Sequence, residues 1–383
     1  MSGSRIASPR AGIPVGFAVT AALLVAMSRA PEDGFAIPIL QLASLVPFLW
    51  IHVSLQGGRG SRRAAHGALA AGLFLRALLW LLPSPSPGSW GAFDGPFPAG
   101  GWGGLLPSPW FGGGSEIRLL IQGLDLLLLL HLSLLLKARG ESAHALVGYA
   151  WNPFVLAALW RGTGLMGAAA AALLFGAVLL IHRKRRRIGA ALWGLGAGLA
   201  GLAPFLAPAL ACRAPFRDLL PFALGCLGGG ALLAARWIAG GPAPESGPAD
   251  GSIWPAVRAL LGTAGAWGTA LGLWTAASVL LWRRRPPLLE GIQLLVTLGL
   301  LVSPRVDPSW GFWLGSVLVF RPQAAWLVLS GTLACLVVAA ETPVMMRIAA
   351  YLPLLLVPLV QSAVEIDRRR RRRGAGGGRS YSV

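Results

Sequence analysis

The sequence predicts an all-α, polytopic integral membrane protein, and three observations carry that prediction. Of its 383 residues, 55% are hydrophobic and 12% charged, whereas soluble domains carry about 25% charged residues. Mean hydropathy is +0.66. The basic residues behind the net charge of +19 stand in short blocks between apolar runs of roughly 20 residues, the length of one bilayer crossing. A nucleic-acid-binding chain would gather its cations on one face of an element. Cations between apolar runs instead mark the cytoplasmic side of a membrane, so the expected partner is the membrane and not nucleic acid.

The first run, near 12–29, follows Arg5 and Arg10 and ends in Ser28-Arg29-Ala30-Pro31. That ending makes a poor cleavage site, so the run is expected to stay as a first helix with the N-terminus in the cytoplasm. Runs near 35–55 and 64–82 bring the chain back and out again around Arg59, Arg62 and Arg63. The stretch 83–115 is rich in Gly, Pro and Trp and free of Lys and Arg up to its end, which predicts an external loop. Runs near 117–136 and 144–160 flank an inner turn with Lys137 and Arg139, and 164–181 returns to the basic block His182–Arg187.

The Gly/Pro-interrupted stretch 188–211 is expected to enter and leave on one side as a broken, re-entrant hairpin. A full crossing there would place Arg283–Arg285 outside, against the sidedness of every other basic block. The run 219–238 then leads out to an external loop, 240–252, that holds Glu245 and Asp250. Runs near 287–302, 309–320, 324–340 and 344–364 complete about twelve crossings. The expected organisation is a transmembrane helical domain over 1–366 and a basic, Gly-rich cytoplasmic tail over 367–383, whose run Arg368–Arg373 would touch anionic headgroups.

Cys212, Cys226 and Cys335 lie in apolar surroundings with no CxxC spacing or nearby His, so neither a disulfide framework nor a zinc site is expected. Walker, dinucleotide and zinc-protease signatures are missing from the sequence, and no metal or other cofactor is implied. Chemistry must then sit on the external face or within the bundle. Arg76 in FLRALLWLLP and Asp125 in IRLLIQGLDLLLLLHL are charges that stand inside apolar runs. An unpaired charge at mid-membrane costs about 2.5–3.5 kcal/mol, so both should face the bundle, and pairing with each other is one solution.

Polar and Pro/Gly residues interrupt two membrane-length runs in GYAWNPFVLAALWRGTGLM, Gly148–Met166. Trp151-Asn152-Pro153 ends one short segment and Gly164-Leu165-Met166 opens the next. Farther on, SPRVDPSWGFWLGSVLVFRP reads as a sharp external turn entering a helix, with Ser303-Pro304, Pro308 and Trp313 as its landmarks, and the first loop holds Phe93-Asp94-Gly95. In this order, from Arg76 to about Pro322, these segments resemble GT-C-type glycosyltransferases that use polyprenyl-phosphate mannose. The helix around Asp125 is similar to that family's fourth helix. The resemblance implies a GT-C-like helical bundle in the cell membrane, at work on the cell envelope. It implies a mannosyltransferase that moves its sugar from a polyprenyl-phosphate donor to a lipid or glycan acceptor on the external face, inverting the anomeric carbon without a metal.

The resemblance also implies a site. In that family the first external loop supplies the carboxylate that takes the acceptor's proton, and the acids of that region here are Asp94 and Glu116. Arg76 stands where the family has an arginine ahead of its catalytic loop and would hold the donor phosphate, with Arg161 and Arg305 making the outer cavity cationic. Asp125, Asn152 and Asp307 are expected behind them as structural or supporting groups. The polar members differ from the family's pattern. Arg161, Gly162 and Thr163 replace His, Asn and Asp; Ser86 and Pro87 replace two acids of the loop; Asp307 replaces His. These differences leave a second reading open, a relative that binds polyprenyl lipid or scaffolds a partner membrane protein without turnover. A transporter or lipid flippase is the third class, since a broken hairpin and intramembrane charges also occur there.

Overall fold

In a bilayer an apolar run satisfies its own backbone only as a helix, and every regular element among the described residues of the computed structural model is helical. The structure describes residues 9–30, 36–57, 62–82, 115–161, 165–199, 203–212, 216–240, 252–304, 306, 308–338, 344–358 and 361. The helices are α1 (Pro9–Arg29), α2 (Ala36–Ala43), α3 (Leu45–Gly57), α4 (Arg62–Leu81), α5 (Ser115–Arg139), α6 (Ala145–Ala150), α7 (Pro153–Arg161) and α8 (Leu165–His182). They continue as α9 (Arg186–Leu199), α10 (Ala203–Ala211), α11 (Phe216–Gly240), α12 (Trp254–Arg284), α13 (Leu288–Val302), α14 (Trp310–Phe320), α15 (Ala324–Val338) and α16 (Val344–Tyr351).

Among the described residues four helical stretches are long and apolar enough to cross a membrane: Ala64–Leu81, Arg118–Arg139, Leu165–His182 and Trp254–Arg284. The chain is thus a helical membrane protein by the length and apolarity of its spans. Three runs expected as single crossings are instead interrupted. The 35–55 run breaks at Ser44, whose hydroxyl donates to the Gln41 carbonyl at 2.6 Å, ahead of Pro47, which has no N–H to continue the ladder. The 144–160 run breaks at Trp151-Asn152, ahead of Pro153. The 344–364 run is likewise interrupted after Tyr351, two residues before Pro353.

The broken segment α6–α7 is the centre of the bundle: every residue from Leu146 to Trp160 is buried. Helix α14 packs against it and is buried from Trp310 to Val319. Outer helices show leucine and tryptophan to their surroundings, as Leu260 (82% exposed) and Trp267 of α12 do. That surface suits lipid tails, which are as apolar as leucine.

Small residues bring α8, α9 and α11 together. A Cβ on Gly194 would collide with the Phe222 carbonyl, and one on Gly198 would lie 2.6 Å from the Cys226 carbonyl. Reciprocally, Gly225 abuts the Ala191 carbonyl and Gly229 that of Leu195. This is a GxxxG surface facing another, which lets two backbones touch. Contacts on both helices advance together along the sequence, so α9 and α11 run parallel. The chain between them must therefore reverse, and α10 is the returning limb. On its other side α9 packs antiparallel to α8, with Gly189 on Ala177 and Ile181 and Gly196 on Ala170 and Leu173.

The basic blocks collect at one end. Gly167 lies against Ser309 and Phe175 stacks on Phe320 at 6.1 Å, so α8 and α14 run parallel. The Arg139 guanidinium lies 5.8 Å from the Phe320 ring centre, and Arg321 pairs with Glu290 at 3.4 Å. The C-termini of α5, α8 and α14 and the α12–α13 turn thus share this basic end. At the far end Arg118 reaches the last turn of α4 and the Ser252 hydroxyl donates to the Ser303 carbonyl at 2.7 Å. Three non-helical turns at the basic end include residues with positive φ: Gly140 (69°), Lys184 (66°) and Arg285 (44°). For Lys and Arg that left-handed conformation costs about 1–2 kcal/mol.

Gly225→Val should separate α9 from α11 and lower stability by about 3 kcal/mol. Gly228→Ala meets only Leu195 Cδ1 at 3.8 Å and should be neutral or stabilising by up to about 1 kcal/mol. Denaturation of the purified protein in detergent, followed by circular dichroism, measures both.

Candidate functional site

Pro153 at the first position of α7 suits a helix start, because its missing N–H would have no partner there. Asn152 caps the same end. Its Oδ1 accepts from the N–H groups of Phe154 (2.9 Å) and Val155 (3.4 Å), and its Nδ2 donates to Ser330 Oγ at 3.3 Å. The break leaves carbonyls of α6 without helical partners in a place closed to water, where each needs another donor. Arg76 Nη1 donates to the Ala150 carbonyl at 2.6 Å, and beyond the break Gln41 Nε2 donates to the carbonyl of Pro153, the first residue of α7, at 2.9 Å.

Helix α4 meets the break along one stripe. The Trp151 indole donates to the Ala68 carbonyl at 2.7 Å. One turn on, a Cβ at Gly72 would stand 2.8 Å from Ala150 Cβ, so glycine sets the closeness of approach. One turn further is Arg76, only 3% exposed. Its Nε donates to Asp125 Oδ2 at 2.5 Å, its Nη2 to Oδ1 at 3.4 Å, and Nη1 also reaches the Gly72 carbonyl at 3.2 Å. Tyr149 completes the cluster: its hydroxyl donates to Asp125 Oδ1 at 2.6 Å, and its ring centre lies 5.5 Å from the guanidinium carbon. Asp125 is fully buried. The cluster therefore joins α4, α5 and α6 through a neutral pair whose polar atoms face one another, as a charge in a membrane interior requires.

The other residues implied for the site divide into two groups. Glu116 is on the first turn of α5 and Arg161 on the last residue of α7, and both helix ends lie at the far end of the bundle. The turn from Ser303 to Ser309 belongs to the same end, as the Ser252–Ser303 hydrogen bond and the packing of Ser309 on Gly167 show. Asp94, Arg305 and Asp307 lie outside the described residues, as do the side chains of Glu116 and Arg161. Compared with known protein families, characterised proteins and solved structures, the chain matches none.

Three polar participants were not singled out by sequence. Tyr149 stands within the Gly148–Met166 stretch, two residues before Trp151, and an aromatic residue in an apolar segment gives no hydropathy signal of a polar role. Gln41 is the one polar residue of α2, a usable signal for an inward face. Arg118 donates through Nη2 to the Leu79 carbonyl at 2.5 Å and through Nη1 to that of Leu82 at 3.2 Å, closing the C-terminus of α4, while its buried Nε has no hydrogen-bond partner. A second arginine seven residues before Asp125 on the same helix was the available clue.

Breaking the cluster from one side strands a buried charge. Arg76→Gln or Asp125→Asn should lower stability by roughly 3–5 kcal/mol, whereas the double replacement Arg76→Met with Asp125→Leu should recover most of it. Tyr149→Phe should cost about 1–2 kcal/mol. A double-mutant cycle on thermal unfolding reads the coupling, and additive single effects would show that Arg76 and Asp125 do not act as a pair.

Proposed function

We propose that the chain is a GT-C-type membrane glycosyltransferase that moves a sugar, mannose by its resemblance, from a polyprenyl-phosphate donor to a lipid or glycan acceptor at the far end of the bundle. The observation that carries this reading is the gathering at that end of the helix ends flanking 83–114 and 162–164 together with the 303–309 turn. Those segments bear Asp94, Arg161, Arg305 and Asp307, with Glu116 at their edge. The reading places the basic end in the cytoplasm and the far end outside, in about twelve crossings with the short helices paired across breaks.

Asp94 or Glu116 takes the acceptor hydroxyl's proton as that oxygen bonds to the anomeric carbon. The bond from that carbon to the donor's phosphate oxygen breaks on the opposite face, so configuration inverts and polyprenyl phosphate leaves as the anion. Arg161 and Arg305 offset its charge. A carboxylate suits the first task because it need only accept a proton while the phosphate departs. Guanidinium groups suit the second because their donors match phosphate oxygens in pairs.

A second reading, a non-catalytic protein that binds polyprenyl lipid or holds a partner membrane protein, draws on a specific observation. The guanidinium of Arg76, which the resemblance assigns to the donor phosphate, is engaged at Nε, Nη1 and Nη2 by Asp125, Ala150 and Gly72.

Proteoliposomes with the purified chain should consume labelled polyprenyl-phosphate mannose when an acceptor lipid extract is present. Asp94→Asn or Glu116→Gln, whichever carries the base, should lower turnover by about 10²–10⁴. Turnover that survives both substitutions together would eliminate these bases. Saturable binding of polyprenyl phosphate with no turnover would establish the second reading.

A further inference from the structure

Helix α12 is longer than a crossing requires and is not a single rod. Its 31 residues would measure about 46 Å at 1.5 Å per residue, against a hydrocarbon thickness of about 30 Å. Gly262 interrupts it with φ 69° and ψ 173°, a left-handed position that glycine holds without strain. Trp254 and Trp267 stand on either side of the break. Along a straight helix their separation of 13 residues would part them by about 20 Å, yet their rings meet edge to face with centres 4.8 Å apart. The limb 254–261 is therefore bent over toward the limb 263–284.

The short limb is fixed at its start and bare at its tip. Ser252 Oγ accepts from the Trp254 N–H at 2.9 Å and donates to the Ser303 carbonyl at 2.7 Å, which ties the limb to the end of α13. Trp254 packs with Ala266, Ala270 and Val302 in a small apolar cluster of its own. By contrast, every residue from 258 to 264 is exposed, with Leu260 at 82% and Leu261 at 52%.

Depth identifies what covers this tip. Gly262 precedes Arg283, at the basic turn, by 21 residues, or about 31 Å of helix. The long limb alone thus spans the hydrocarbon, and the break falls at its far boundary. Deeper in lipid, a break would leave backbone polar groups without water; at the boundary, water and headgroups reach them. Leucines that project there gain by leaving water for acyl chains. Arg258, four residues before the break and exposed, complements the phosphate layer in charge and in donor geometry. Exposed leucines beside a cation on a short limb have the make-up of a helix that lies in the interface.

We propose that the limb 254–261 is an interfacial anchor in the leaflet at the far end, with Leu260 and Leu261 among the upper acyl-chain carbons and Arg258 on a lipid phosphate. Gly262 turns the chain from crossing the bilayer to lying in its boundary.

Spin-label depth tests this on the purified full-length protein in nanodiscs of equal parts phosphatidylcholine and phosphatidylglycerol. In a background with Cys212, Cys226 and Cys335 replaced by Ala, nitroxides at Leu260→Cys, Leu261→Cys and Leu271→Cys are compared by accessibility to oxygen and to a water-soluble nickel chelate. Circular dichroism checks that each variant is folded. Leu271, 64% exposed on the long limb, is the reference, about 14 Å from Gly262 toward the basic end. Labels at 260 and 261 should sit about 5–10 Å below the phosphates, and the label at 271 well below them. Arg258→Gln should let the label at 260 settle several ångströms deeper. Free access of the nickel chelate to 260 and 261 would put the tip in water, and shielding from both reagents would put it under protein. Depths equal to that of 271 would put it at mid-bilayer, and each of these three results overturns the proposal. A depth at 260 that Arg258→Gln leaves unchanged would overturn the phosphate contact.

Discussion

The interruption at Trp151-Asn152-Pro153, in the most deeply buried segment of the bundle, is the constraint on which the rest depends. A helix broken in a place without water releases carbonyl groups that some other donor must reach. Arg76 reaches the Ala150 carbonyl from α4, while Asn152 caps the helix that restarts and Gln41, from α2, donates to the carbonyl of its first residue, Pro153. An arginine used for this purpose brings a charge, which is tolerable inside a membrane only beside a carboxylate, and Asp125 supplies it from α5. The carboxylate in turn takes a further bond from Tyr149, on the segment that created the demand. One break therefore fixes the positions of several helices, and the polar residues of an otherwise apolar core follow from it in sequence.

Close approach of backbones is the second organising device. Lipid offers no hydrophobic drive for helices to associate, so contact area and small side chains decide which pairs form. Gly194, Gly198, Gly225 and Gly229 give α9 and α11 such a contact, and their parallel course forces α10 to run back between them. The reversal of this segment thus rests on glycine placement as well as on charge. Gly72 does the same at the break, where its lack of a side chain allows α4 both to accept from the Trp151 indole at Ala68 and to donate to the Ala150 carbonyl from Arg76.

Much of this was legible in the sequence and the remainder has identifiable causes. Apolar length and the spacing of cations gave the helical membrane class, most helix positions and the reversal between 188 and 211. Arg76 and Asp125 stood out because charge within an apolar run is costly. The split of 35–55 at Ser44 was not foreseen, since a single serine and Pro47 barely alter hydropathy. Tyr149, Gln41 and the Ala68-Gly72-Arg76 stripe were hidden for a related reason. In helices that are apolar on every side, periodicity does not separate the inward face from the lipid face, and the contacts of a residue then depend on neighbours remote in sequence. For the implied site, the helix ends bearing Glu116 and Arg161 were locatable, whereas Asp94, Arg305 and Asp307 lie outside the described residues.

The occupation of Arg76 shifts the electrostatic question to the far end. A departing polyprenyl phosphate needs positive charge within a few ångströms, because in a low-dielectric setting distance and burial decide how much a cation contributes. Arg76 already balances Asp125, so the pair is close to neutral when viewed from outside. Arg118 is nearer that end, yet its two Nη groups hold the last carbonyls of α4. The catalytic reading consequently rests on Arg161 and Arg305, residues that stand in segments where the family pattern and this chain differ. A non-catalytic protein would use the same cations to hold a lipid phosphate without a base positioned for an acceptor. The two readings share Arg161 and Arg305 and separate on the carboxylate, so the acids Asp94 and Glu116, more than any arginine, are the residues on which the choice between an enzyme and a binding protein turns.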